Sequence, residues 1–188
     1  VQWQWMHDTI HASQQSAPRV LNLFAYTGAA SLVCAAAGAH VTHVDASKPS
    51  MTWARENQAL SKINDTAIRW ILDDALSFVS REVRRGQTYD AIIMDPPVYG
   101  HGPQGQLWDF SQSFPKLIEA CARVLVPNPL FILINAYAVS ASGLMLKNVL
   151  EELVEGNNGK LEAGELALQE SSTNRLLSTG IYGRWSRQ

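Results

Sequence analysis

The residue types best suited to chemistry occur in one short stretch, Asp95-Pro96-Pro97-Val98-Tyr99-Gly100, which directly follows the apolar run Ala91–Met94. A proline has a fixed φ angle and no N–H, so Pro96 and Pro97 cannot extend a strand ladder and turn the chain away from it. The Asp95 carboxylate and the carbonyls freed from the ladder can then accept hydrogen bonds from a planar nitrogen-bearing group, on which Tyr99 could stack. An isolated Asp-Pro-Pro is more often a simple strand-ending turn, so its meaning depends on the neighbouring strand ends.

A glycine and a carboxylate follow the first two apolar runs of the chain. Gly28 comes after the run at residues 20–24 and opens a helix, where a residue without Cβ lets a ligand approach unpaired backbone N–H groups. Asp45 ends the second run, 17 positions after Gly28. An acid at this spacing is typical of nucleotide-binding folds, in which it accepts both ribose hydroxyls. Because Ser47 is already suited to cap the following helix, the ribose interpretation of Asp45 is favoured.

A second acid, Asp74, follows the third apolar run and precedes Ala75. A carboxylate there could accept the amino group of an adenine, while the adjacent backbone N–H reaches a ring nitrogen. Capping of the next helix by Asp73 or Asp74 explains the same position equally well. Both interpretations stay open at this point.

Strand and helix patterns alternate along the chain. Strands are predicted at residues 20–24, 40–44, 67–72, 89–94, 130–135, 162–170 and 176–185, and helices at residues 29–37, 47–60, 75–85, 114–125 and 144–154. This alternation predicts an α/β fold with a doubly wound, Rossmann-like, mostly parallel sheet and a C-terminal antiparallel hairpin. Ligands of such sheets bind outside the carboxyl ends of the strands, where Gly28, Asp45, Asp74 and Asp95 all fall. Residues 100–108 are predicted to be a mobile lid beside the Asp-Pro-Pro stretch.

Composition excludes several classes of protein. The chain has 188 residues, 46% hydrophobic and 17% charged, which describes a globular domain, and its net charge of −2 leaves no electrostatic footprint for nucleic acid. Cys34 and Cys121 are too few for a disulfide framework and are expected to be buried thiols. His7 and His11 lack a third ligand, so no metal site is expected. With no export signal and no membrane-length apolar run, a cytoplasmic location without a membrane is predicted.

Two cofactor chemistries compete for the predicted pocket. A dinucleotide oxidoreductase needs the pattern G-x-G-x-x-G for the pyrophosphate, but the segment Tyr26-Thr27-Gly28-Ala29-Ala30-Ser31 has a single glycine. A methyl donor carries no phosphate and needs only room for an amino-acid tail. The segment therefore favours a methyl donor over NAD.

At this point the chain resembles the class I S-adenosylmethionine-dependent methyltransferases, and most closely their bacterial rRNA methyltransferase branch. The residues that carry the resemblance are Asn22-Leu23-Phe24-Ala25-Tyr26-Thr27-Gly28, Val44-Asp45-Ala46-Ser47, Ala54-Arg55-Glu56-Asn57, Asp74-Ala75 and Asp95-Pro96-Pro97-Val98-Tyr99-Gly100. The resemblance covers residues 20–185 and is more specific for the superfamily than for the substrate. It implies an N-terminal connecting helix at residues 1–19 and a catalytic domain at residues 20–188, with Trp3 and Trp5 as packing anchors of that helix.

The resemblance also implies the cofactor, S-adenosylmethionine, and the role of each strand end. The implied cofactor contacts are Phe24, Tyr26, Thr27, Gly28 and Ala29 at the methionine end, Asp45, Ala46 and Ser47 at the ribose, Asp74 and Ala75 at the adenine, and Asp95. The residues implied to face the methyl acceptor are Asp95, Pro96, Pro97 and Tyr99. The implied reaction is an in-line displacement at the sulfonium carbon, accelerated by positioning, on a base that is flipped out or single-stranded.

Three departures from these relatives refine the expectation. Relatives that methylate carbon 5 of cytosine carry a cysteine just after the fifth strand, where this chain reads Asn135-Ala136-Tyr137-Ala138, so covalent attack is not expected. Transfer to nitrogen or oxygen is favoured instead, and nitrogen is the leading prediction. Val98 stands where relatives often carry lysine. Relatives also have an upstream RNA-binding or β-rich domain, so a truncated or minimal catalytic domain is expected. The predicted substrate is RNA, with rRNA as the leading prediction. A small-molecule methyltransferase and a non-catalytic S-adenosylmethionine-binding domain are the alternatives.

Overall fold

A computed structural model describes all 188 residues as one α/β domain. The helices are α1 Gln2–Ala12, α2 Ala29–Ala36, α3 Lys48–Leu60, α4 Ala75–Arg84, α5 Phe110–Ala122 and α6 Gly143–Leu153. The strands are β1 Arg19–Leu23, β2 His40–Asp45, β3 Ile68–Leu72, β4 Ala91–Met94, β5 Tyr99–His101, β6 Leu107–Asp109, β7 Phe131–Ala136, β8 Gly159–Gln169 and β9 Leu176–Arg187.

Seven of the strands form one sheet in the order β3-β2-β1-β4-β7-β9-β8. The first five in this order are parallel, β9 pairs antiparallel with β7, and β8 pairs antiparallel with β9. The chain proceeds outward from β1 to β3 and then returns to β4 on the other side of β1. A crevice opens where the strand order reverses, and ligands of doubly wound sheets bind there. The predicted fold class is confirmed.

Hydrophobic residues cover both faces of the sheet. On one face, residues of α4, α5 and α6, among them Phe78, Leu117 and Leu150, pack against alternate strand residues such as Ile132. On the other face, α1 and α2 pack against the intervening residues, which include Phe131. The strands β4 and β7 are buried almost throughout, as expected for parallel strands between two helical layers.

The N-terminal helix is part of the hydrophobic core. Met6 and Ile10 of α1 are buried beneath the sheet, and the Trp5 ring meets Phe131 edge-on with 5.4 Å between the ring centroids. The packing role predicted for Trp5 is therefore confirmed. Trp3 is 58% exposed, so the same prediction for Trp3 is wrong. Trp3 shares a helix face with Met6 and Ile10, but it lies in the first turn of α1, where it borders a cavity and stays exposed.

Two further differences from the sequence prediction concern residues 99–122. Residues 100–108 are not an irregular lid, because β5 and β6 pair as an antiparallel hairpin and Trp108 is only 3% exposed. The helix predicted from residue 114 begins at Phe110, where the Asp109 side chain accepts a hydrogen bond from the Gln112 N–H at 3.1 Å.

Both cysteines are buried, as predicted. No helix has the length and hydrophobicity to cross a membrane.

Glu82 of α4 joins the helix to the sheet through a buried contact, and this contact generates a stability prediction. Its side chain is 1% exposed and accepts the Tyr89 hydroxyl at 2.7 Å, with Arg69 at 3.4 Å and Arg85 at 3.1 Å. Glu82→Ala leaves the Tyr89 hydroxyl unpaired, so we expect a loss of about 2–3 kcal/mol in unfolding free energy. Urea denaturation at pH 7 measures this loss.

The matched control is Glu151→Ala, which removes an exposed partner of Lys147 on α6. A solvated ion pair of this kind contributes no more than about 1 kcal/mol. Equal losses in the two variants would show that the buried contact of Glu82 does not stabilise the fold as described.

Candidate functional site

Three cavities lie at the carboxyl edge of the parallel strands, and the Asp-Pro-Pro stretch, residues 95–99 (the ledge), borders all of them. The first measures about 350 Å³ and is lined by the β1–α2 turn, α1, Asp95 and Asn135. The second measures about 60 Å³ and lies between the ends of β2 and β3 and the β5–β6 hairpin. The third measures about 400 Å³ and lies on the α5 side of the ledge.

The structure brings most of the sequence-predicted residues to these cavities. Those that line the first cavity are Phe24, Tyr26, Thr27, Gly28, Ala29 and Asp95, those that line the second are Phe24, Asp45, Ala46, Asp74, Ala75 and Pro97, and Tyr99 lines the third. Ser47 and Pro96 line none of them. Phe24 lies between the first two cavities, so a single elongated ligand could occupy both.

The β1–α2 turn has an unusual backbone. Gly28 has φ of 86°, and a Cβ added there would lie 3.1 Å from the Ala54 Cβ of α3. Phe24 and Tyr26 also have positive φ angles, 54° and 49°, although they carry side chains. Such conformations cost about 1–3 kcal/mol each and persist only where surrounding contacts hold them. Phe24 and Tyr26 therefore require strong local anchors, whereas glycine adopts a positive φ angle at little cost.

The anchors come from β2 and α3. One Asp45 carboxylate oxygen, Oδ2, accepts the Tyr26 N–H at 2.7 Å, and Oδ1 accepts the Ser47 N–H at 2.8 Å. The Asn57 side-chain amide donates to the Thr27 carbonyl at 3.0 Å. A carboxylate has about four acceptor positions, so Asp45 retains capacity for two further donors. The sequence missed this positioning role of Asn57, which appeared there only within a motif.

The capping interpretations can now be assigned. Ser47 caps α3, because its hydroxyl oxygen accepts the Ser50 N–H at 3.3 Å. Asp74 caps α4 through Oδ1, which accepts the Ser77 N–H at 2.8 Å, and Asp73 pairs with Arg81 instead. The capping interpretation of Asp74 is therefore confirmed. Its adenine interpretation stays a prediction, since Asp74 also lines the second cavity.

Asp95 follows β4 directly. One oxygen of its carboxylate accepts a hydrogen bond within the protein and the other accepts none. Its backbone N–H donates to the Leu23 carbonyl of β1 at 3.4 Å, after which the chain leaves the sheet at Pro96. The Tyr137 hydroxyl donates to Asp95 Oδ2 at 3.0 Å, whereas Oδ1 is buried without a hydrogen-bond partner. Burial raises the pKa of the Asp95 carboxyl to about 6, although the bond from Tyr137 acts in the opposite direction. Asn135 Oδ1 is likewise buried and unpartnered.

These two unpaired oxygens belong to residues that line the first cavity. Buried polar atoms in folded proteins almost always have a partner, so two acceptors at one cavity indicate a ligand that carries hydrogen-bond donors. No lysine, arginine or histidine lines this cavity to neutralise them. Amino groups of bound molecules would satisfy these atoms.

The ledge is held in place by the β5–β6 hairpin. The Trp108 indole N–H donates to the Pro97 carbonyl at 2.6 Å, and its ring packs on Phe24 with 4.7 Å between centroids. The expectation that the ledge carbonyls are free for a ligand is therefore wrong for Pro97. Aromatic burial of Trp108 also explains why the hairpin is ordered where the glycine-rich sequence suggested a lid.

The third cavity is mostly apolar. The rings of Phe110 and Phe114 stack there with 4.6 Å between centroids, and Tyr99 stands at the edge with 70% of its surface exposed. Asp109 is the single charged residue in the lining, and no lysine or arginine is present. This environment suits a flat, uncharged group placed beside the ledge.

A row of buried, hydrogen-bonded polar side chains supports the floor of the first cavity. Asn22 donates to the Ser31 hydroxyl at 2.9 Å, and that hydroxyl lies 3.0 Å from His43 Nδ1. Burial lowers the pKa of His43 to about 3, so the ring is neutral at physiological pH. A neutral His43 is too deep to act on a ligand and serves to hold β1, α2 and β2 together.

The fold and the strand-end residues together define a class of protein. A doubly wound sheet with a glycine turn after β1 and acids after β2 and β3 is typical of domains that bind an adenosine-containing cofactor. The match to known families makes the class specific. Residues 5–156 match the family described as S-adenosylmethionine-dependent methyltransferase. The chain belongs to this family.

Individual relatives agree with the family. The chain is 34% identical over 118 residues to the ribosomal RNA large subunit methyltransferase K/L of Shewanella frigidimarina, covering 62% of this chain and 16% of that protein. It is 27% identical over 167 residues to the ribosomal RNA large subunit methyltransferase I of Pseudoalteromonas translucida, covering 88% of this chain and 40% of that protein. A SAM-dependent methyltransferase structure from Agrobacterium tumefaciens superposes with a TM-score of 0.92 and 41% identity, covering all of this chain and 61% of that one.

These matches confirm the resemblance drawn from the sequence, and with it the methyltransferase class and S-adenosylmethionine as the cofactor. The chain spans about a sixth of the length of the K/L relative and 61% of the Agrobacterium structure. The assignment of single residues to the cofactor or the acceptor stays a prediction.

The buried charge of Asp95 leads to a stability prediction. Asp95→Asn is expected to stabilise the fold at pH 8 by about 1–3 kcal/mol, because a tenfold change in proton affinity is worth about 1.4 kcal/mol. The folded-state pKa of about 6 lies above the ordinary value of 3.8, so the wild type gains stability as the pH falls through this window. The advantage of the variant should therefore vanish by about pH 4.

Thermal unfolding at pH 4, 6 and 8 measures this difference. The exposed variant Asp65→Asn is the control, and its melting temperature at pH 8 should equal that of the wild type. An Asp95→Asn protein that is less stable than the wild type at pH 8 would contradict the conclusion that the buried charge of Asp95 destabilises the fold.

Proposed function

We propose that this chain transfers a methyl group from S-adenosylmethionine to a nitrogen atom of an unpaired base in ribosomal RNA. The observation that carries the proposal is the unpaired, buried Oδ1 of Asp95, a residue that belongs to the ledge and also lines the first cavity. Relatives named as ribosomal RNA large subunit methyltransferases support the substrate class.

The residues of the first two cavities fit the cofactor. Asn135 Oδ1 would accept the ammonium group of its methionine part. The N-terminus of α2 after Gly28 would receive the carboxylate. The remaining acceptor positions of Asp45 would take the ribose hydroxyls, and Asp74 with Ala75 would take the adenine. When bound, the cofactor supplies a methyl group on a positively charged sulfur.

The residues of the ledge would position the acceptor. Above pH 6 the Asp95 carboxylate is charged, so Oδ1 can accept an N–H of the base and orient the nitrogen lone pair. With this pKa, Oδ1 can also take the proton that the nitrogen loses. The rings of Tyr99 and Phe110 would hold the flat base, and the apolar wall of the third cavity would exclude water.

Transfer to nitrogen is supported by the position of the cysteines. Cys34 and Cys121 lie in the two hydrophobic cores and line none of the three cavities. Burial raises the pKa of both thiols to about 12, so neither is a thiolate at physiological pH. A mechanism that needs covalent attack on carbon 5 of a pyrimidine therefore has no nucleophile among these cavities.

A small-molecule acceptor is the second candidate. No lysine or arginine lines any of the three cavities, so recognition there would be of a base or a similar flat amine and not of phosphate. The net charge of −2 gives the chain little general attraction to RNA. A free heteroaromatic amine would satisfy the same contacts.

Two substitutions test the division of roles. Asp45→Ala removes two charge-assisted hydrogen bonds to ribose and loosens the turn at Tyr26, so the affinity for S-adenosylhomocysteine should fall at least about tenfold. Asp95→Asn keeps an acceptor oxygen but loses the charge, so binding should stay within about threefold while transfer falls about 100-fold or more. Calorimetry and radiolabelled methyl transfer measure the two quantities. Equal loss of cofactor affinity in both variants would contradict the assignment.

The substrate class is tested by offering two acceptors to the wild type. Radiolabelled methyl groups should enter total RNA, and digestion with mass spectrometry should find them on a base nitrogen. Label confined to an RNA-free metabolite extract would favour the small-molecule acceptor. Tight S-adenosylhomocysteine binding with no label in either pool would instead indicate a non-catalytic cofactor-binding domain.

A further inference from the structure

The Tyr137 side chain contacts Asp95, whose carboxylate would bind the methyl acceptor in the proposed function. It follows β7 directly, in the segment where the sequence drew attention only through its lack of cysteine. Its ring is 44% exposed at the edge of the sheet, and its hydroxyl reaches back to Asp95 Oδ2 at 3.0 Å. No other side chain donates a hydrogen bond to Asp95.

A glycine in the neighbouring strand creates the space for Tyr137. A Cβ at Gly180 of β9 would lie 2.8 Å from the Ala136 carbonyl oxygen and 3.2 Å from the Tyr137 Cβ. The strand also contains a bulge, because Leu166 pairs with Gly180 whereas Ala167 pairs with Ser178. Bulges and strand glycines occur where a backbone or ligand must approach closely. The β8–β9 hairpin is therefore shaped to admit the chain at Tyr137.

The bond from Tyr137 sets the orientation of the whole carboxylate. The terminal torsion of aspartate is broad, so an unrestrained carboxylate rotates easily. Since the group is planar, holding Oδ2 on one side directs Oδ1 to the other side, where it is buried and unpaired at the cofactor cavity. The other ionisable residues around the pair are Tyr26 of the β1–α2 turn, Tyr99 of the ledge, and Glu165 of β8, which lines a cavity together with Tyr137.

We propose that Tyr137 is a positioning residue, whose hydroxyl holds Asp95 Oδ2 so that Oδ1 meets the N–H of the methyl acceptor. This role rests on the proposed transfer to nitrogen. A hydrogen bond to the charged form of a carboxylate favours that form, so Tyr137 also limits the rise of the Asp95 pKa that burial causes. Without the hydroxyl, a larger fraction of Asp95 would be protonated at neutral pH and unable to receive the acceptor proton.

The test compares Tyr137→Phe with Tyr182→Phe in the full chain. Tyr182 lies in β9, paired in register with Asn135, and its hydroxyl makes no hydrogen bond. The three measurements are S-adenosylhomocysteine affinity by calorimetry, the single-turnover rate between pH 5 and 9, and the NMR titration of the Asp95 carboxyl carbon without RNA. The titration requires no activity and therefore reports on the Tyr137–Asp95 contact directly.

In Tyr137→Phe we expect the Asp95 titration and the acid limb of the rate profile to move upward by about one pH unit. At pH 7 the transfer rate should fall about tenfold, of which about twofold comes from the smaller ionised fraction of Asp95 and recovers at pH 9. The remaining loss, about fivefold, comes from the lost orientation and should persist at every pH. The KM for RNA and the cofactor affinity should change less than about threefold, since the aromatic ring remains. Tyr182→Phe should match the wild type in all three measurements.

The outcomes distinguish this role from the proposed function. If the wild type transfers methyl groups and Tyr137→Phe keeps both its titration and its rate profile, the role of Tyr137 is wrong and the proposed function stands. If the wild type binds S-adenosylhomocysteine but transfers to no acceptor, the proposed function fails and this role fails with it. A shifted titration with an unchanged rate profile would make the contact structural and would also overturn the proposal.

Discussion

The carboxylate of Asp45 ties the β1–α2 turn to the end of β2, and the shape of the first cavity, which the turn lines, depends on this contact. Phe24, Tyr26 and Gly28 all have left-handed backbone conformations, which are unfavourable for the first two. Charge-assisted hydrogen bonds from the Tyr26 and Ser47 amides to Asp45 offset that cost. The same carboxylate keeps its remaining acceptor positions at the cavity, so the residue that shapes the site is also free to hold a ligand.

The acceptor side of the site depends on a different balance. The ledge is rigid because its prolines leave the sheet at a defined point and Trp108 binds the Pro97 carbonyl. That rigidity holds the Asp95 carboxylate in a buried position, where a charge is costly and only Tyr137 supports it. The buried charge lowers the stability of the fold at the position where a reactive amine would need an oriented hydrogen-bond acceptor. This combination is common at functional sites, which depart from optimal stability.

Much of this architecture could be predicted from the sequence, because the parallel sheet follows from alternating apolar runs and brings Gly28, Asp45, Asp74 and Asp95 to one edge. The hairpin at residues 99–109 could not, since its glycines suggest a loop and the burial of Trp108 depends on Phe24, far away in the chain. The contact between Tyr137 and Asp95 could not be predicted for a similar reason. Its partner lies 42 residues earlier, and the space it needs comes from Gly180 in another strand. Local patterns carry no information about such contacts.

The most direct measurement is a crystal structure of the chain with S-adenosylhomocysteine. The account predicts both ribose hydroxyls within about 3.2 Å of the Asp45 carboxylate and the ligand ammonium at the same distance from Asn135 Oδ1. Electron density for the ligand outside the first two cavities, or Asp45 and Asp95 turned away from it at full occupancy, would contradict the account.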